Sequence, residues 1–232
     1  MIAAREELAA LWRFLAAPRR LPPPRPGGNG WIARALFFAA LLLTINIALD
    51  ALLLNPLRDW AQLIEEFPDT PSFQLAVSAV LFAPFAEELA FRAGLRGLRY
   101  TLFVGPPLIV VSFSMFDHRA LFIGLVLATF SLCAAGIRHG LQGRRAGASF
   151  AMARQFVHRY PWVFWGYALL FALAHLSNYS WGSARGVVMP LLVLPQLLVG
   201  AVAGYLRLRD GLRSSMLLHA VNNAVAIALL AT

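Results

Sequence analysis

Long apolar blocks almost free of charge leave this 232-residue chain few ways to fold. Seven such segments follow residue 30, at about 31–54, 73–95, 101–115, 120–137, 161–177, 186–206 and 214–231. A bilayer span takes about 20 mostly apolar residues. Only 13% of the chain is charged, against about 25% in soluble domains, so a water-soluble globule is excluded. The pattern predicts an all-α, polytopic transmembrane helical bundle of about seven spans. The third segment is short and carries Pro106 and Pro107, which suits a kinked or re-entrant path.

Ahead of the spans, residues 2–17 set Ile2, Leu8, Leu11, Trp12 and Leu15 at helical spacing among Arg5, Glu6, Glu7 and Arg13, the pattern of an amphipathic helix in the membrane interface. The two acids argue against a signal peptide. Pro18–Gly30 is too rich in proline and glycine for a regular element and reads as a linker. The expected organisation is therefore an interfacial helix and linker over 1–30 and a transmembrane domain over 31–232. Cys133, the lone cysteine, lies in an apolar block and provides no disulfide framework or cysteine metal motif.

All 20 basic residues are arginine, and the net charge is +9. Basic residues near helix ends favour the cytoplasm. With the N-terminus inside, fifteen arginines fall in cytoplasmic segments, and Arg58, Arg119 and Arg185 fall outside. This split predicts a cytoplasmic N-terminus and accounts for the basic excess with no nucleic-acid partner. The arginines over 138–159 also suit anionic lipid headgroups.

Charges at membrane depth cost about 2.5–3.5 kcal/mol each on insertion scales, so those that persist point to a cavity or a partner. The second span ends in FAEELAFRAG, where Glu88 and Arg92 share a helical face and can pair. Glu87, rotated about 100° from Glu88, is left without a cation from its own helix. The fifth span carries Phe171 and His175, and the seventh His219 and Asn223, each pair four residues apart on one face. At 1.5 Å per residue, Glu87, His219 and His175 lie roughly 13, 9 and 15 Å deep. Three helices thus bring a carboxylate and two imidazoles to similar depth. Isolated intramembrane His or Asn residues commonly just join helices, but these would satisfy one another only in a shared polar pocket. Asn46 is a weaker candidate, Asp50 reads as interfacial, and His118, His139 and His158 read as loop residues.

Glu87-Glu88-Leu-Ala-Phe-Arg92 resembles an EExxxR motif, Phe171-Ala-Leu-Ala-His175 an FxxxH motif, and His219-Ala-Val-Asn-Asn223 an HxxxN motif. Together, in this order, they resemble the CPBP (CAAX protease and bacteriocin-processing, or Abi) intramembrane proteases, which include the type II CAAX prenyl endopeptidases. The resemblance covers roughly residues 73–231. His175 lies 88 residues after Glu87, a longer interval than is usual in that family, holding the third and fourth segments and an arginine-rich loop. An added hairpin of two spans would preserve the direction of the next helix and could alter substrate access.

The resemblance implies hydrolysis of a peptide bond within the membrane. Glu87 would be the general base toward water and His175 would position that water. His219 and Asn223 would donate to the oxyanion, while Glu88 and Arg92 hold the helix. No cofactor is favoured. The alternative is a metalloprotease with zinc on His175, His219 and Glu87. A non-catalytic immunity factor or scaffold is the competing class, whereas a transporter would more often show repeats, which are not evident here. The expected partners are the bilayer and a membrane protein, prenylated tail or leader peptide as substrate. The expected location is a bacterial plasma (inner) membrane.

Overall fold

Two proline-interrupted helical rods frame the molecule. The computed structural model describes residues 4–22, 30–61, 64–65, 72–97, 153–180 and 188–230. The first rod joins α2 (Gly30–Leu49), a π-helical turn (Asp50–Leu54) and α3 (Asn55–Ala61), following the N-terminal helix α1 (Ala4–Ala16). The second joins α4 (Phe73–Val77), a π-helical turn (Ser78–Phe82), α5 (Ala83–Phe91) and a closing 3-10 turn (Ala93–Arg96). Each π turn lies just ahead of a proline, Pro56 or Pro84, whose missing N–H interrupts the regular ladder. Gly30–Trp60 and Phe73–Arg96 are long and apolar enough to cross a membrane, and Tyr160–Ala174 is a shorter apolar helix.

Further helices include α6 (Tyr160–Ala174), α7 (Met189–Leu192), α8 (Leu194–Arg209) and α9 (Leu212–Leu230). The two-residue strands β1 (Ile64–Glu65) and β2 (Tyr179–Ser180) pair antiparallel. Helix α8 is buried along Val199–Leu206 and packs against α1, α2, α6 and α9. Its small residues allow that approach: a Cβ built on Gly200 meets the Phe171 ring at 3.1 Å, and one on Gly204 meets the Phe164 ring at 2.7 Å. Gly211, at φ 102°, makes the tight turn from α8 into α9. Helix α9 then runs against α2, α5 and the second π turn, bringing His219 to the glutamates.

Three local readings differ from the periodicity. The fifth apolar segment is not helical throughout: α6 ends at Ala174, and His175 caps it and opens a 3-10 turn. The sixth is broken at Val193, between the helix starts set by Pro190 and Pro195. Helix α1 does not rest on lipid alone, because Glu7, Leu11 and Phe14 form its buried face, with the Phe14 ring edge-on to Phe164 at 5.0 Å. Leu8 and Trp12 remain exposed on the other side. Segments 101–115 and 120–137, with Cys133, His118 and His139, lie outside the described residues.

Candidate functional site

The second rod presents its two carboxylates at a place where its own backbone is irregular. In the π turn the Ala83 N–H reaches back to Ser78 O. Ala79 O therefore lacks its α-helical donor, and the next candidate, residue 84, is proline. Asn223 from α9 supplies the donor, its Nδ2 lying 2.7 Å from Ala79 O. The side chain is held by this bond, and the second N–H of the same amide is left for another acceptor.

Four residues earlier on α9, His219 lies between the two carboxylates. Its Nδ1 is 3.2 Å from Glu88 Oε1 and its Nε2 is 3.7 Å from Glu87 Oε2. Glu88 Oε1 also faces Arg92 Nη1 at 3.3 Å, the i, i+4 pair expected from the spacing. Glu88, Arg92 and His219 are buried, whereas the Glu87 and His175 side chains keep 25% and 22% of their surface. The chemistry therefore has an exposed side and an inner support.

His175 approaches from the end of α6. Its Nδ1 lies 2.9 Å from Phe171 O, and its Nε2 lies 4.0 Å from Glu87 Oε2. A backbone carbonyl can only accept, so Nδ1 carries a proton, and in the neutral ring Nε2 turns a lone pair toward Glu87. Phe171 organises the inner wall. Its ring has the Arg92 guanidinium carbon 3.7 Å from its centroid and meets the rings of His175 at 4.7 Å and His219 at 5.6 Å. A cation on one aromatic face and two imidazoles packed against the same ring fix all three heads together.

A profile of the family described as type II CAAX prenyl endopeptidase Rce1-like matches residues 69–225, more than half of the chain. The chain belongs to that family. Its members are integral membrane proteases, so this is a membrane protease acting on a membrane-associated substrate. No curated protein and no solved structure matches the chain.

Glu87, Glu88, Arg92, Phe171, His175, His219 and Asn223 thus gather where α5, α6 and α9 meet. Asn223 reaches the cluster through the backbone of the glutamate rod. Asn46, by contrast, makes none of these contacts, Asp50 pairs with Arg58 at 2.8 Å, and His158 is exposed. Ala79 and Pro84 were not evident as site residues from helical periodicity. Their signal is a proline one turn past a carbonyl that an intramembrane amide can reach.

Ligand atoms of a tetrahedral zinc with bonds of about 2.0 Å stand roughly 3.3 Å apart. The two Nε2 atoms are 3.7 and 4.0 Å from Glu87 Oε2, and no group of three His, Cys, Asp or Glu among the described residues is arranged to hold a metal ion.

Proposed function

We propose that the chain is an intramembrane endopeptidase that hydrolyses a peptide bond in a lipidated or otherwise membrane-bound substrate, with water activated by Glu87. The observation that carries this reading is the convergence of Glu87 Oε2 and His175 Nε2 at 4.0 Å. Both atoms present lone pairs. The separation is too long for a direct hydrogen bond and suits one water about 2.8 Å from each. Such a water would direct a hydrogen to each acceptor and its own lone pair toward an incoming carbonyl. Glu87 takes the proton as the oxygen attacks, then returns it to the leaving amine. Among the described residues Glu87 Oε2 is buried with no hydrogen-bond partner, as a group kept for a transient one would be.

His219 and the free N–H of Asn223 would serve the oxyanion. His219 turns Nδ1 to Glu88 and Nε2 to the side of Glu87, so that an N–H on Nε2 would be the donor to the oxyanion. Glu88, held by Arg92, orients that ring. Membership of a prenyl endopeptidase family supports a prenylated C-terminal tail as the first substrate to try. The arginine split supports a multi-pass topology of about seven spans with the N-terminus and the site's opening toward the cytoplasm of a bacterial plasma membrane.

The test uses wild type and Glu87→Gln in proteoliposomes with a farnesylated peptide ending in a CAAX tail. Release of the C-terminal tripeptide by wild type, and none by a folded Glu87→Gln, is expected. Comparable turnover by both proteins would overturn the assignment.

A further inference from the structure

The part of the second rod that carries both glutamates lies between two irregular turns. Helix α5 covers nine residues, entered through a π turn and left through a 3-10 turn, the places where the regular ladder is interrupted. Contacts at these two joints help to set its height against α6 and α9. Asn223 holds the entry side through Ala79 O. The exit side is held by arginines that sequence reading assigned only to the cytoplasmic charge bias.

At the exit, α5 and α8 finish side by side, where helix ends offer backbone carbonyls to donors from outside the helix; Arg92 O already accepts the Leu95 N–H at 3.2 Å. Arg207 of α8 sends Nε to Arg92 O at 3.3 Å. In return, Arg96 sends Nε to Arg207 O at 3.3 Å and Nη2 to Leu208 O. Two further bonds seal the same turn: Tyr160 Oη donates to Leu95 O at 2.7 Å, and Arg20 Nη2 to Arg96 O at 2.9 Å. The Arg92 carbonyl held by Arg207 belongs to the residue whose guanidinium faces Glu88 and stacks on Phe171.

We infer that Arg96 and Arg207 are positioning residues, a reciprocal arginine-to-carbonyl clamp that sets the height of Glu87 and Glu88 against His175 and His219. The inference rests on the proposed role of Glu87. Misplacement by about 1 Å can cost on the order of 10²-fold in rate, so loosening this joint should slow the chemistry while substrate binding is nearly unchanged.

The experiment compares wild type, Arg96→Met, Arg207→Met, Arg96→Lys and the exposed control Arg19→Met in proteoliposomes with the farnesylated CAAX peptide. Amide hydrogen exchange over residues 92–97 is measured on the same proteins. Methionine keeps the apolar stem and removes the donors. Arg96→Met and Arg207→Met should each lower kcat by about 10-fold or more, with KM within about twofold and faster exchange over 92–97. Arg96→Lys should recover part of kcat, and Arg19→Met should match wild type. Unchanged kcat in both Met variants, even with a lowered melting temperature, would reduce the clamp to a structural cap and overturn the inference. If wild type does not cleave, or Glu87→Gln does, it is the enzymatic reading that fails. The exchange data then decide the clamp alone: faster exchange in the Met variants supports it and unchanged exchange refutes it.

Discussion

Two glycines one helical turn apart on α8 should respond to the same substitution in different ways. A Cβ at Gly204 would lie 2.7 Å from Phe164 Cε2, 3.2 Å from Cζ and 3.5 Å from Leu95 Cδ1. Phe164 cannot swing aside, because it is buried with Phe14 edge-on at 5.0 Å and Trp165 at 5.5 Å. Overpacking of this kind costs about 1–3 kcal/mol, and replacing glycine by alanine in a helix returns about 0.8–1 kcal/mol. Gly204→Ala should therefore be net destabilising by about 1 kcal/mol, or roughly 2–4 °C in melting temperature for a chain of this size. At Gly200 the added carbon would meet Phe171 Cδ1 at 3.1 Å and Ala168 O at 3.3 Å, so a shift of a few tenths of an ångström suffices. The propensity gain about offsets that strain, and stability should hardly change. The displaced ring, however, is the one that packs against Arg92, His175 and His219. Gly200→Ala should lower kcat several-fold at near-wild-type stability, while Gly204→Ala should lower stability first. Thermal unfolding followed by tryptophan fluorescence, beside tripeptide release from the farnesylated peptide, measures both. Wild-type kcat in Gly200→Ala would refute the idea that Phe171 holds the histidines, and a raised melting temperature in Gly204→Ala would refute the packing argument.

Asn223→Ala should slow turnover by something like 10²- to 10³-fold, the scale of one lost oxyanion donor, with KM little changed; a fall in folded protein that accounts for the whole loss would instead assign Asn223 to holding Ala79 O. Glu7→Gln should destabilise the protein by about 1–3 kcal/mol, because Arg34 and Arg209 both pair with that buried carboxylate, and the melting curve is the check. Reporters fused after Arg145 and near Glu65 should read cytoplasmic and external respectively, and reversal of either would contradict the orientation.

What could be read in advance followed from short-range rules. Glu88 and Arg92 share a face by helical spacing, and they stand 3.3 Å apart. The similar depths of Glu87, His175 and His219 anticipated a meeting of three helices, although the depth of His175 assumed a helix that in fact ends at Ala174. What was not legible depends on partners distant in sequence. Arg34, within the first apolar segment, holds Asp210 through two bonds of 2.8 and 2.9 Å and Glu7 at 3.1 Å, partners that helical spacing does not reveal. Arg96 and Arg207 carry the charge that orients a membrane protein, and nothing in their spacing shows that each caps the other's helix. Asn223 has a backbone partner only because Pro84 and the π turn free Ala79 O, an irregularity that a 3.6-residue period cannot reveal.

The central claim, that Glu87 activates water without a metal, is tested most directly by measuring the metal content of the purified protein together with its cleavage of the farnesylated peptide after exhaustive chelation, with Glu87→Gln alongside. The account predicts that wild type keeps its rate after chelation and that Glu87→Gln has none at any metal content. One stoichiometric zinc whose removal stops cleavage, and whose return restores it, would contradict the account.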